Sequence, residues 1–108
     1  MLKEECGLMG VFHVPEAAKL AFLGLHALQH RGQEACGVAC FQNEKSKEVV
    51  FHTYKGFGLV TDVMNKYSFE NCSGNVALGH VRYSTQGGRL VQNIQPFVFK
   101  IPYHGQVA

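Results

Sequence analysis

The sequence has no long apolar run and no block of like charge. No stretch approaches the ~20 apolar residues that a membrane-spanning helix needs, and the start, MLKEEC, has no apolar signal region. The net charge is +2, from 10 basic and 8 acidic residues that are scattered along the chain. We therefore expect neither a membrane nor a nucleic acid as partner, and we expect a cytoplasmic protein with reduced cysteines.

Internal repeats, low-complexity segments and linkers are also absent, so a chain of 108 residues predicts one domain. Hydrophobic residues make up 46% of the chain and charged residues 17%, which is typical of a globular protein with a single core.

The apolar pattern predicts a strand, a helix and then several strands. The first strand should span residues 6–14, and the helix should begin at Ala17 and end near residues 29–32. Further strands are expected at 37–41, 49–54, 76–83 and 96–101, a short helix at 60–66, and turns or loops at 42–46, 56–58 and 84–88. The strand at 76–83 is apolar on both faces and should lie inside a covered sheet. This order favours an α+β fold with antiparallel pairing.

Cys6 is the first candidate for chemistry. A thiol attacks as its thiolate, whose pKa in a free cysteine is about 8.5, so it needs a base. A cysteine at the chain's own N-terminus has such a base, because its α-amine, with a pKa of about 7.7–8.0, can relay the proton. That solution requires removal of residues 1–5. The alternative is a buried cysteine at a strand end, packed as a small hydrophobe.

Two polar clusters are further candidates. In LQHRGQE, residues 28–34, Arg31 and its neighbours either cap a helix end or line a site between helix and sheet. In GHVRYST, residues 79–85, Arg82 ends a strand that is expected to be buried, so it needs an anion. That anion is either an acid of this chain or a ligand carboxylate, which the planar guanidinium fork fits.

The glycines and potential metal ligands point to no other chemistry. Gly56 and Gly58 match neither a dinucleotide nor a phosphate-binding loop and should serve a turn. Cys36 and Cys40 bracket an expected strand, where four residues extend about 13 Å, too far for one zinc ion. His26 and His30 are four residues apart and would share a helix face, but the sequence has no Cys-x-x-Cys pair, so we expect no metal site.

Taken together, the motifs resemble those of one enzyme family. They are CGLMG at 6–10, ALQHRGQE at 27–34, GFGLVTDV at 56–63, GHVRYST at 79–85 and NIQPF at 93–97. In this order and with these separations they resemble the glutaminase domain of the amidophosphoribosyltransferases. The resemblance runs from Cys6 to the end of the chain, and the acidic leader is similar to the propeptide that some members remove.

The resemblance implies an N-terminal-nucleophile hydrolase fold, with two antiparallel sheets between helical layers. It implies that Cys6 attacks the side-chain amide of glutamine and that Arg82 grips the substrate α-carboxylate. Arg31, Tyr83, Ser84 and Thr85 match positions around the site. The ammonia would pass to phosphoribosyl pyrophosphate in a second domain, giving 5-phosphoribosylamine in the first step of purine biosynthesis.

The resemblance also implies a longer protein. Residues 1–5 would be a propeptide, and residues 6–108 the N-terminal part of the type 2 glutamine amidotransferase domain, leaving the fold incomplete. A His-Asn-Gly-Asn segment, which supplies the oxyanion hole, and the phosphoribosyltransferase domain are not in this sequence. We expect no cofactor in this segment, Mg²⁺ with phosphoribosyl pyrophosphate in the second domain, an iron–sulfur cluster in some members only, and a homo-oligomeric full-length protein.

Two alternatives stand beside this interpretation. Hexosamine-forming amidotransferases also begin with a catalytic cysteine, but they typically carry Tyr-Arg-Gly-Tyr-Asp and His-Thr-Arg-Trp motifs where this chain has HRGQE and HVRY. A non-catalytic module that kept the fold is the other alternative. The presence of both Cys6 and Arg82 argues against it, because a decayed site needs neither.

Overall fold

The structure, a computed structural model, describes residues 7–29, 33–42, 50–67, 74–83 and 91–98. In these segments it contains strands β1 (Gly7–Phe12), β2 (Gln33–Phe41), β3 (His52–Phe57) and β4 (Val76–Tyr83), helices α1 (Ala17–Leu28) and α2 (Val60–Met64), and a 3₁₀ turn over Val91–Asn93. The α+β class is therefore confirmed.

The strands form one antiparallel sheet in the order β1-β4-β2-β3. The predicted antiparallel pairing is thus confirmed, and β4 lies inside the sheet, between β1 and β2. Gly7, the first residue of β1, is the partner of Val81 in β4. The ladder between β2 and β4 is regular except for a register shift between Gln33 and Ala35, where Glu34 is the extra residue.

Helix α1 covers one face of the sheet. Its residues Ala18, Ala21, Phe22 and Leu25 are fully buried at helical spacing, and burial of a side chain such as Phe22 or Leu25 contributes about 1.5–3 kcal/mol. Close packing requires glycine beneath the helix: a Cβ at Gly79 would lie 2.9 Å from Cδ1 of Leu25. The glycine in β4 therefore sets how near α1 approaches the sheet.

The segment 94–98 lies against the opposite face of the sheet. The carbonyl oxygen of Gln95 would be 2.5 Å from a Cβ at Gly37, so the backbone of this segment rests directly on β2. The ammonium group of Lys55 lies 5.1 Å from the centroid of the Phe97 ring, a cation–π distance. Much of this face is nevertheless open: Leu78 in β4 is 45% exposed, whereas β4 was predicted to be covered on both faces.

Two sequence-based predictions are wrong within the described residues. Gly56 and Phe57 belong to β3 rather than to a loop, because the glycine gives room to Val63 of α2, whose Cγ2 would lie 3.1 Å from a Cβ at Gly56. Residues 96–98 form no strand, consistent with Pro96, which lacks the N–H that a ladder needs; residues 99–101 lie outside the described segments.

Other elements differ only at their ends. β1 ends at Phe12 instead of residue 14, β2 begins at Gln33 instead of residue 37, and β3 spans His52–Phe57 instead of 49–54. Helix α1 ends at Leu28, one residue before the predicted range of 29–32, and the short helix predicted at 60–66 is present as α2 over Val60–Met64. The loop predicted at 84–88 and most of the turn predicted at 42–46 lie outside the described residues.

Candidate active site

Arg82 lies near the end of β4, on the sheet face opposite α1. Its cross-strand partner is Ala35, and only 8% of the residue is exposed. Nη2 of Arg82 donates to Oε2 of Glu34 at 2.9 Å, and the two side chains are 10% and 15% exposed. The predicted need for an anion is met here by an acid of the same chain. The contact of Arg82 with a substrate carboxylate stays a prediction.

His80 is a second buried polar residue on this face, two positions before Arg82 in β4. It is 7% exposed, and its Nδ1 has no hydrogen-bond partner among the described residues. Burial, together with the positive charge of Arg82, lowers the pKa of His80 below its ordinary value. The imidazole is therefore neutral at physiological pH. No role is predicted for His80 from the sequence, although the residue lies inside the GHVRYST motif.

Three hydrogen bonds join the segment around β2 to the turn after β3. Gln33 Nε2 donates to the carbonyl oxygen of Gly58 at 2.6 Å, and the Gly58 N–H donates to the carbonyl oxygen of Glu34 at 2.8 Å. The Val60 N–H donates to Oε1 of Gln29 at 3.1 Å. Gly58 has φ +115°, a conformation that favours glycine. The two motifs ALQHRGQE and GFGLVTDV thus hold each other in place.

Several predicted site residues fall outside what the structure describes. These are Cys6, Arg31, Ser84 and Thr85, together with the side chain of Tyr83. The backbone of Tyr83 ends β4, where it pairs with Gln33. The structure therefore brings together Arg82, Glu34 and His80 at one end of the sheet, and the sequence-predicted roles of the other residues stay predictions.

The cysteines that the structure describes are unsuited to nucleophilic chemistry. Cys36 and Cys40 are free thiols, fully buried in the core. Burial raises the pKa of the Cys36 thiol to about 12, so its thiolate fraction at neutral pH is negligible. Cys72 lies outside the described residues.

Within the described segments no three His, Cys, Asp or Glu side chains lie close enough together to hold a metal ion. No helix in these segments combines the length and the apolar character of a membrane span.

A shallow depression adjoins His80. It has a volume of about 390 Å³ and is lined by Leu8, Leu78, His80, Gln95, Pro96 and Phe97. It lies between the open sheet face and the segment 94–98, and His80 and Gln95 are the polar residues of a lining that is otherwise apolar.

Comparison with known proteins supports the resemblance that the motifs suggested. The chain is 48% identical over 96 residues to amidophosphoribosyltransferase 1, chloroplastic, of Arabidopsis thaliana, and the aligned region covers 89% of this chain and 16% of that protein. It is 40% identical over 107 residues to the amidophosphoribosyltransferase of Bacillus subtilis, and the aligned region covers 99% of this chain and 21% of that protein. The chain thus spans about a fifth of the length of these curated relatives. No family model matches it.

Solved structures show the same likeness in the fold. Glutamine phosphoribosylpyrophosphate amidotransferase from B. subtilis, complexed with ADP and GMP, superposes with a TM-score of 0.70 at 36% identity over 88% of this chain and 19% of that one. A structure described as the allosteric regulatory enzyme of purine biosynthesis gives a TM-score of 0.67 at 39% identity. The described residues therefore have the N-terminal-nucleophile hydrolase fold, of which they form part of one sheet and one helical layer.

Proposed function

We propose that this chain is the glutamine-binding part of an amidophosphoribosyltransferase. In this proposal the intact protein hydrolyses glutamine at Cys6, and the ammonia reacts with phosphoribosyl pyrophosphate to give 5-phosphoribosylamine, the first step of de novo purine biosynthesis. The 108-residue chain alone lacks the oxyanion-hole segment and is expected to be inactive. Support comes from the relatives' names and from one observation in the structure. Arg82, whose guanidinium is buried, directly follows Val81, the cross-strand partner of Gly7, and Gly7 is bonded to Cys6.

The pairing register of β1 with β4 limits the distance between Cys6 and the residues around Arg82. Gly7 is the partner of Val81, the residue before Arg82. Bonded residues have Cα atoms about 3.8 Å apart, and paired Cα atoms in an antiparallel ladder are about 4.5–5.5 Å apart. Covalent connectivity thus keeps the Cα of Cys6 within roughly 10 Å of the Cα of Val81. That separation suits a substrate held by its α-carboxylate at Arg82 while its side-chain amide meets the thiol.

The chemistry follows from a cysteine with a free α-amine. The amine accepts the thiol proton, and the Cys6 sulfur attacks the amide carbon of glutamine. The carbon–nitrogen bond breaks and ammonia leaves with a proton, which forms a glutamyl thioester on Cys6. Water then attacks the thioester carbon, glutamate is released, and the thiol recovers its proton. The other thiols described in the structure, Cys36 and Cys40, are buried in the core and take no part.

The proposed function also implies a domain organisation for the intact protein. Residues 1–5 are a propeptide whose removal exposes the α-amine of Cys6, and residues 6–108 are the first part of the type 2 glutamine amidotransferase domain. Arg31, Tyr83, Ser84 and Thr85 surround the bound glutamine. A second domain binds phosphoribosyl pyrophosphate with Mg²⁺, the intact protein is a cytoplasmic homo-oligomer, and any iron–sulfur cluster takes its ligands from outside this chain.

The test measures two activities of the intact protein, as the cell makes it. Incubation with glutamine and phosphoribosyl pyrophosphate should yield glutamate and 5-phosphoribosylamine, whereas a hexose phosphate should not serve as acceptor. Cys6→Ala should abolish the use of glutamine and retain synthesis from free ammonia. Intact mass should show Cys6 as the N-terminal residue. An active enzyme that keeps residues 1–5, or glutamine use that survives Cys6→Ala, would contradict the proposal.

A further inference from the structure

The β-bulge in strand β2 has a chemical consequence at Glu34. Gln33 is the partner of Tyr83 and Ala35 the partner of Arg82, so Glu34 is an extra residue between two successive pairs of the ladder. Successive side chains of a regular strand point to opposite faces of the sheet, but a bulge can re-aim one of them. With the bulge, the Glu34 carboxylate reaches the guanidinium of Arg82, although the cross-strand partner of Arg82 is Ala35.

The bulge is held from outside the strand. The carbonyl oxygen of Glu34 accepts a hydrogen bond from the Gly58 N–H at 2.8 Å, and the carbonyl oxygen of Gly58 accepts one from Gln33 Nε2 at 2.6 Å. Gly58 makes both contacts from a φ of +115°. The Glu34 backbone is therefore fixed by partners other than Arg82, so its carboxylate approaches the arginine from a backbone position that does not depend on their contact.

Only part of the guanidinium is engaged by Glu34. The contact joins one terminal nitrogen, Nη2, to Oε2 at 2.9 Å, and a guanidinium has five N–H donors. The pair stabilises the charge of a side chain that is 10% exposed, and it limits the rotation of a long, flexible chain. The ion pair therefore restricts the orientation of the guanidinium.

We propose that Glu34 is a positioning residue, which holds the Arg82 guanidinium in the orientation that receives the α-carboxylate of glutamine. The inference rests on the proposed function, since Arg82 must contact that carboxylate. Glu34 itself does not touch the substrate; it acts through Arg82. Removing its carboxylate therefore weakens the use of glutamine and leaves the use of free ammonia intact.

The experiment compares kinetic constants of the intact protein and of single variants. Glu34→Ala should lower kcat/KM for glutamine about 10- to 100-fold, mostly through KM, because misplacing a substrate-orienting group has effects of that size. Glu34→Gln keeps the shape and one acceptor and should recover part of the loss. Glu16→Ala is the matched control: Glu16 pairs with Lys19 at 3.9 Å in an ion pair exposed to solvent, and its loss should leave the glutamine constants unchanged.

A double variant separates positioning from mere structural support. If Glu34 acts through Arg82, Glu34→Ala should have little further effect in an Arg82→Lys background, because coupled residues are non-additive. Ammonia-dependent synthesis by both Glu34 variants should stay close to that of the parent protein, which shows that the variants are folded. The thermal midpoint of Glu34→Ala should fall, because the buried charge of Arg82 loses its partner.

The outcomes distinguish the two proposals. Parent-like glutamine kinetics in Glu34→Ala, additive losses in the double variant, or an equal loss of ammonia-dependent synthesis in both Glu34→Ala and Glu34→Gln would overturn the positioning role alone. A parent protein that does not hydrolyse glutamine would overturn the proposed function, and this inference with it.

Discussion

Replacing Gly37 by alanine tests how the segment 94–98 is held against the sheet. A Cβ at Gly37 would lie 2.5 Å from the carbonyl oxygen of Gln95 and 3.0 Å from Cγ of Lys55. The first neighbour is backbone and cannot rotate away, so the whole segment must move. Overpacking of this kind typically destabilises by about 1–3 kcal/mol. Alanine regains about 0.5–1 kcal/mol in a strand interior, which leaves a net loss of up to about 2.5 kcal/mol.

Gly10→Ala is the matched control, since Gly10 also lies in a strand, β1. A Cβ there would lie 3.1 Å from Cε2 of Phe12, the far end of a side chain that is 64% exposed and can turn aside. This variant should be neutral or gain up to about 1 kcal/mol.

Urea titration of the intact protein and both variants gives the free energies of unfolding. Equal stabilities of Gly37→Ala and Gly10→Ala would show that the segment 94–98 does not rest on β2 as described.

Three further predictions concern the site and the core. Arg82→Lys keeps the charge but loses the planar fork, so kcat/KM for glutamine should fall about 10- to 150-fold while ammonia-dependent synthesis is retained; normal glutamine kinetics would leave Arg82 with only its ion-pair role. A glutamine-mimicking electrophile should label Cys6 before Cys36 and Cys40, because both of these are buried and burial raises the pKa of the Cys36 thiol to about 12. Peptide mapping that shows equal labelling of the three cysteines would contradict this prediction. Because burial lowers the pKa of His80, the unfolded state binds more protons once the pH falls below about 6.5, and stability should decline there by at most about 1.4 kcal/mol per pH unit. His80→Asn should flatten that part of the stability–pH curve, measured by urea titration at each pH, and an unchanged slope would contradict the assignment.

The spacing of apolar residues along the sequence was enough to locate helix α1 and strand β4. The helical spacing of apolar residues located α1, and the apolar run at 76–83 located β4, because each element buries side chains with a period that the sequence displays. Gly56 was misplaced for the opposite reason: it stands in a strand because Val63 of α2 packs above it, a contact that no local pattern reveals.

The sequence was enough to predict that Arg82 pairs with an anion, but not that this anion is Glu34. A strand expected to be buried indicated that Arg82 needs an anion, and the structure confirms that it has one. The identity of that anion depends on a one-residue shift between β2 and β4, which follows from long-range pairing rather than from the residues near Glu34. His80 was missed because a lone histidine in a strand is uninformative until its burial is known.

The strand order has a consequence for the sequence of folding events. β2 and β3 are consecutive along the chain and can pair as soon as both are synthesised, whereas β1 pairs only with β4 among the described strands, across most of the chain. Closing that long loop is entropically unfavourable until β4 has joined β2. The first strand made is therefore expected to be the last to dock, and residue 6 reaches the neighbourhood of Arg82 only once the sheet is assembled. A thiol at position 6 would therefore stay apart from Arg82 in those partly folded forms of the nascent chain in which β1 has not yet paired with β4.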